Sequence, residues 1–323
     1  MGDPPQPDDA LEAAAPALWA ALSPLGRRLR MPANFLPQQT AEARGKRFNA
    51  TIGQITDGHG RAVPLPTVAA ALAGLSEEGR SRALLYSPVE GLLELRQRWR
   101  ARQRRGQPED RPSSLPLATG GVVHALSLAA QLFAAEGRPV LLQAPPPAEH
   151  PAVLGLRTGA RLVPVDGLGK RPCDPQPLAA ALRALADGEP ALVALRLPAA
   201  ADEAPPSPQE RSTLVKVLFA AAARRPVVVL VDDLWELEPG GAGGSLFWDL
   251  AGRHPSLVPL KVDGADGRLG YPGARIGFLT LPFPPDSVAA REVENKVKLL
   301  LRAEIGSPSA ASQMVLLAAL ADL

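Results

Sequence analysis

The run "PVVVLVDDLW", Pro226 to Trp235, decides how the chain is read. From Val227 to Val231 it is apolar without a break and almost wholly β-branched. A strand with one face in water would alternate apolar with polar residues. An unbroken run needs cover on both faces, which is the position of an inner strand in a parallel sheet. Two aspartates end it, Asp232 and Asp233. Adjacent strand residues point to opposite faces, so the pair does not form a two-carboxylate metal site.

Similar runs recur on either side of this one. "RPVLLQA", "RLVPVD", "PALVALRLP", "SLVPLKVD" and "RIGFLTLP" are short apolar stretches bounded by breakers. Between them lie helical patterns: "GGVVHALSLAAQLFA", "HPAVLGLRTGA", "PQPLAAALRALADG", "SLFWDLAGRH", and "SPQERSTLVKVLFAAAARR", which Ser207 and Pro208 begin. Strand and helix alternating through short connections predict an α/β protein with a doubly wound, mainly parallel sheet. In such sheets ligands sit beyond the carboxyl ends of the strands. The candidate positions there are Gly120 to Val123 at a helix start, Asp232 with Asp233, and the loop Asp263 to Gly267.

Composition narrows the classes. The chain has 323 residues, 46% of them hydrophobic, and a net charge of +2 from 35 basic and 33 acidic side chains. That length predicts one large domain with smaller attachments: an N-terminal arm over 1–58, a large domain over 59–284, and a helical segment over 285–323. The last of these stops inside an apolar helix and is expected to lead into a small lobe left incomplete. No global field would recruit nucleic acid. The basic run "RQRWRARQRR", Arg96 to Arg105, fits an amphipathic helix with solvated arginines. The N-terminus is acidic and proline-rich, unlike a signal peptide, and no apolar run is long enough to span a membrane, so a cytoplasmic chain is expected. Cys173, alone in the polar stretch "GKRPCDPQ", reads as an incidental thiol. His59, His124, His150 and His254 are scattered without metal-ligand spacing.

Five blocks, in order, resemble the fold-type I aminotransferases of class I/II, which use pyridoxal 5′-phosphate (PLP). They are "FNATIG" (48–53), "YSPVEGLLELR" (86–96), "ATGGVVHALSL" (118–128), "VLVDDLW" (229–235) and "DGADGRLGYPGARIGF" (263–278). The resemblance implies roles for particular residues. Gly120, Gly121, Val122 and Val123 form the phosphate-binding turn, and Arg275 is the phosphate-contacting arginine. Asp232 is the acid at the pyridine nitrogen, and Tyr86 is the tyrosine that reaches a neighbouring subunit's phosphate. The resemblance also implies small amino acids and 2-oxo acids as substrates and a dimeric assembly.

Against that pattern, the sequence departs at the positions that carry the chemistry. Gly267 stands eight residues before Arg275, where the Schiff-base lysine belongs. A glycine supplies neither an amine to condense with PLP nor a general base. Ala200 stands at the asparagine position, Trp235 at the tyrosine that holds the 3′-oxygen, Pro147 at the stacking aromatic, and Val123 at a phosphate-binding hydroxyl. Lys261, six residues upstream of Gly267, is a poor surrogate. The resemblance therefore implies an inactive homologue in which any PLP binding is non-covalent and weak. Two alternatives stay open: an active enzyme with a relocated lysine, and a non-catalytic partner that uses the family's dimer surface, as a homodimer or paired with an active paralogue.

Overall fold

The computed structural model describes residues 15–22, 25, 41–43, 45–46, 57, 59, 61–168, 172–199, 203–236, 244–265, 269 and 271–320. The chain divides into two units, residues 1–54 and 55–323. Within the first, a short helix runs over Pro16–Ala21. The second carries the sheet and everything that follows.

Seven strands form one sheet: β1 (Leu117–Thr119), β2 (Pro139–Gln143), β3 (Arg161–Val165), β4 (Ala191–Leu195), β5 (Val227–Asp232), β6 (Leu257–Gly264) and β7 (Gly277–Thr280), in the order β1-β7-β6-β5-β4-β2-β3. Strands β2 to β6 are mutually parallel, and β7 runs antiparallel to both neighbours. The run that opened the sequence reading is the central strand. Val227, Val229 and Val231 pack into one core layer, and Leu230 packs into the other. The doubly wound, mainly parallel sheet expected from the alternation is present. The strand β1, three residues long, is an addition to the sequence reading; so short a stretch carries no period.

The helices cover both faces. The first four helices, α1 to α4, are Pro66–Ala73, Glu77–Ala83, Leu93–Gln103 and Val122–Phe133, and α3 stacks Trp99 on Phe278 on the face opposite α4. Helix α4 is the main cover of the Leu230 face, through Val122, Ala125, Leu126 and Ala129. On the other face lie α5 (Gln176–Arg183), α6 (Pro208–Ala222) and α7 (Leu246–Leu250), with Leu178, Leu182, Leu214, Leu218 and Phe247 inward. Helix α6 starts as the sequence predicts. The Ser207 hydroxyl accepts from the Glu210 N–H while the Glu210 carboxylate accepts from the Ser207 N–H, a reciprocal cap worth about 1 kcal/mol. "HPAVLGLRTGA" is helical but wider, with a π-helix over Pro151–Leu156. Helices α8 (Val288–Glu304) and α9 (Ala310–Ala319) complete the unit, α8 on the α4 face and α9 against α1 and α2.

Two expectations need correction. The basic helix α3 is not uniformly solvated. Arg96 is only 4% exposed, donates to the Pro116 carbonyl and pairs with Glu294; Trp99 is buried beside it. A long guanidinium can fold inward where a carbonyl and a carboxylate meet it. Cys173 is also buried rather than lying in a solvated loop, packed with Leu168, Leu178 and Leu182. A small apolar thiol is well suited to that place. Among the described residues no helix is long and apolar enough to cross a membrane.

Candidate functional site

The site is built at the carboxyl ends of β2, β4 and β5, three neighbours in the sheet. Asp232 is the last residue of β5 and is 0% exposed. Arg196 directly follows β4, and its guanidinium donates to Asp232 Oδ2 from Nε at 2.9 Å and from Nη2 at 2.5 Å. His150, in the connection that follows β2, brings Nε2 to the same oxygen at 2.8 Å. The other oxygen, Oδ1, accepts from the Leu234 N–H at 3.2 Å. Arg196 Nη2 also donates to Glu149.

The electrostatics follow from this packing. Burial alone would raise the Asp232 carboxyl, but the His150 hydrogen bond and the Arg196 charge outweigh it and hold the group below its usual range. Burial would likewise lower Arg196; Asp232 and Glu149 outweigh it and raise the guanidinium further. The pair is therefore a closed ion pair within the protein. Glu149, His150 and Asp232 bring three ligand-capable atoms within 4.8 Å of one another, so the histidines are not all isolated as their spacing suggested. Arg196 is bonded to both carboxylates of that trio and already supplies the positive charge there.

A second constellation lies at the turn from β1 into α4. Gly121 has φ +109°, and a Cβ added there would stand 2.9 Å from Arg275 Nη2, so the guanidinium lies against the glycine backbone. Arg275 is itself left-handed, φ 48°, which is uncommon for a residue with a side chain and clusters at functional positions. Gly277 is pressed still more closely: a Cβ there would meet the Gly121 carbonyl carbon at 2.5 Å. Gly120 gives its N–H to His124 Nδ1 at 3.0 Å, and His124 Nε2 is 2.7 Å from Glu304 at the end of α8. Gln131 and Arg157 hold the other oxygen of Glu304. Burial would raise that carboxyl, but these partners hold it low, so a negative charge is fixed beside the helix start. Val122 is buried and Val123 is 39% exposed.

The remaining sequence candidates separate. Trp235 is half-buried just past β5, and Pro147 is buried in the turn that positions His150. Tyr86 is 95% exposed. Ala200 and Gly267 lie outside the described residues. Lys261 points to the opposite side of the sheet from Asp232. Its ammonium is wholly buried among Asp233 at 2.5 Å, Glu236, and Asp263 at 3.5 Å. Burial would lower this amine, but the three carboxylates outweigh it and raise it, which keeps it protonated and unable to act as a nucleophile. Asp263 is tied in turn to Trp99 Nε1 and Gln103 Nε2. With three acids around one ammonium, burial pushes the Asp233 carboxyl up to about 7, Lys261 opposing and Glu236 adding.

Arg196, His150 and Glu149 were missed by sequence reasoning. The available signal was position: Arg196 follows β4 and both Glu149 and His150 follow β2, at the carboxyl ends of two apolar parallel strands that lie next to each other beside β5.

No family profile and no curated protein matches the sequence. Solved structures do. An aminotransferase from Anaerococcus prevotii aligns at 17% identity and a TM-score of 0.70, over 87% of this chain and 70% of that one. The broad specificity aminotransferase from Leishmania mexicana aligns at 19% and 0.70, over 93% and 74%. Thermus thermophilus aspartate aminotransferase with maleate aligns at 19% and 0.67, over 94% and 73%. The fold is that of the aminotransferases.

An aminotransferase fold raises the question of whether PLP suits these residues, and at the ring end it does not. Both Asp232 oxygens are bonded inside the protein, the group has no exposed surface, and Arg196 occupies the place of a cationic partner. At the phosphate end the Gly120 N–H is spent on His124, with Glu304 close behind. Among the described residues, Gly121 and Arg275 keep an arrangement that suits an anion.

Two measurements test this reading of the site. Arg196→Leu strands a buried carboxylate and should lower stability by about 3–5 kcal/mol, with more than half recovered by adding Asp232→Asn. Urea unfolding of the four proteins checks the cycle, and additive losses would dissolve the ion pair as a unit. For Asp233 the carboxyl is raised above its usual 3.8. Below that value both folded and unfolded states hold the proton, whereas between it and about 7 only the folded state does, so stability at this group falls as pH rises through the window. Wild-type stability should decline from pH 4 to pH 7 relative to Asp233→Asn; parallel profiles would count against it.

Proposed function

We propose that this chain is a homologue of PLP-dependent aminotransferases that no longer transaminates and acts as a scaffold. The observation that carries the reading is the buried Arg196–Asp232 pair, in which an internal guanidinium already supplies the cationic partner of this carboxylate. Gly267 supports it from the sequence, since no amine stands eight residues before Arg275. Lys261, the nearest alternative amine, is held as an ammonium by three acids. Amino acids and 2-oxo acids are accordingly not turned over, and any PLP binds weakly, through its phosphate at Gly121 and Arg275.

The purified protein should show no visible absorbance band of the kind a coenzyme bound covalently to lysine gives, and added PLP should contribute only the absorbance of the free coenzyme. Borohydride followed by peptide mass spectrometry should find no phosphopyridoxyl group on any of the six lysines, Lys46, Lys170, Lys216, Lys261, Lys296 and Lys298. Gly267→Lys alone should not restore transamination, because Arg196 still closes the ring end. An adduct on a lysine, or strong activity from the single substitution, defeats the proposal.

A pairing role is favoured by one surface. Leu84, Leu85 and Tyr86 are 88%, 65% and 95% exposed in a single run, more apolar surface in one place than an isolated surface side chain explains. A second copy of the chain is the proposed occupant. Sedimentation should give a dimer that Leu84→Asp with Leu85→Asp converts to a monomer, and a monomeric wild type would refute pairing.

A further inference from the structure

Residues of helices α5 and α6 line an open groove of about 520 Å³. It lies on the face opposite Asp232 and owes nothing to the site described above. Its floor is apolar, made by Leu182, Val217 and Ala221. Its rim is cationic, with Arg183, Lys216 and Arg224, and no acidic side chain lines it.

At one end stands Arg225, which is only 6% exposed. Its guanidinium donates to the carbonyls of Ala186 at 2.9 Å and Glu189 at 3.2 Å, with a longer bond to Leu185 at 3.4 Å. Among the described residues no carboxylate lies within ion-pair distance of it. The nearest acid in sequence, Glu189, turns its carboxylate to the Ala186 N–H. Arg183, Lys216 and Arg224 likewise carry no ion pair among the described residues. Elsewhere the chain compensates its buried cations: Arg96 has Glu294, Arg196 has Asp232 and Glu149, and Lys261 has three carboxylates. Burying a charge without an opposite partner is costly, and carbonyl dipoles offset only part of it.

We infer that the α5–α6 groove binds a small amphiphilic anion, with a carboxylate or phosphate head against Arg225 and the rim cations and an aliphatic or aromatic body on the Leu182–Val217–Ala221 floor. The volume falls within the range of about 300–1,000 Å³ usual for small-molecule sites. The charge fixes the sign of the ligand, and the floor requires it to be more than an inorganic ion. A neutral lipid would leave four cations facing one another, and a cationic one would be repelled.

The test is titration calorimetry of the full chain with four probes of one chain length: octanoate, octyl phosphate, octylamine and octanol, with inorganic phosphate as a fifth. Binding by octanoate or octyl phosphate, with amine and alcohol at least about tenfold weaker, supports the site, and the tighter of the two anions identifies the head group. Lys216→Ala with Arg224→Ala, both exposed, should weaken that binding about tenfold or more. Val217→Trp should abolish it by filling the groove without altering charge. Arg225→Met is the sharper change, but it is buried, so the surface variants carry the test if it fails to fold. Equal binding of all four probes, inorganic phosphate matching octyl phosphate, or binding indifferent to Val217→Trp would each overturn the inference.

Discussion

A carboxylate at the end of the central strand must be compensated, and much of this molecule is organised by how that is done. Asp232 sits where β5 delivers it, sealed from solvent, and an ionised group there is tolerable only with an opposite charge in contact. Arg196 provides it from the next strand, and His150 provides a hydrogen bond from the strand beyond. The three parallel strands thus meet in one ion-paired knot at their carboxyl ends. Where a cofactor could close such a centre, the protein here closes it with its own side chain.

A second buried charge centre sits across the sheet, and the two differ in balance. Around Asp232 two acids meet one guanidinium and a histidine, and the carboxyl is held low. Around Lys261 three acids meet one ammonium, so one of them, Asp233, is pushed up towards neutrality. Adjacent residues of one strand end therefore experience opposite environments, because the pleat turns them to opposite faces. The α5–α6 groove is the contrasting case, with cations gathered and no acid beside them. Charge compensation is the common thread: internal at the first two centres, and left to a ligand at the third.

The turn from β1 to α4 is set by close backbone packing. Gly277 must lack a side chain because the Gly121 backbone lies where its Cβ would be, and that contact holds Arg275 against the helix start. These are constraints of packing, and they preserve an anion-sized arrangement. Yet His124 and Glu304 have filled the neighbouring Gly120 position from within the fold.

The sequence by itself determined the sheet. Unbroken β-branched runs, alternating with helical periods and punctuated by glycine and proline, leave few other ways to bury so much apolar surface, and β5 and the Ser207 cap of α6 are where the reading placed them. It also determined that Asp232 and Asp233 part to opposite faces, which follows from the two-residue period alone. Tertiary structure decided what each acid meets. Arg196 and His150 are 36 and 82 residues from Asp232 in the chain, and only the strand order β5-β4-β2 makes them neighbours. Local patterns report which residues share a face, but ion pairs form between elements, across distances along the chain that no periodicity records. For the same reason the burial of Arg96 and Cys173 was hidden: whether a side chain finds a partner or a cover depends on what another element brings to it.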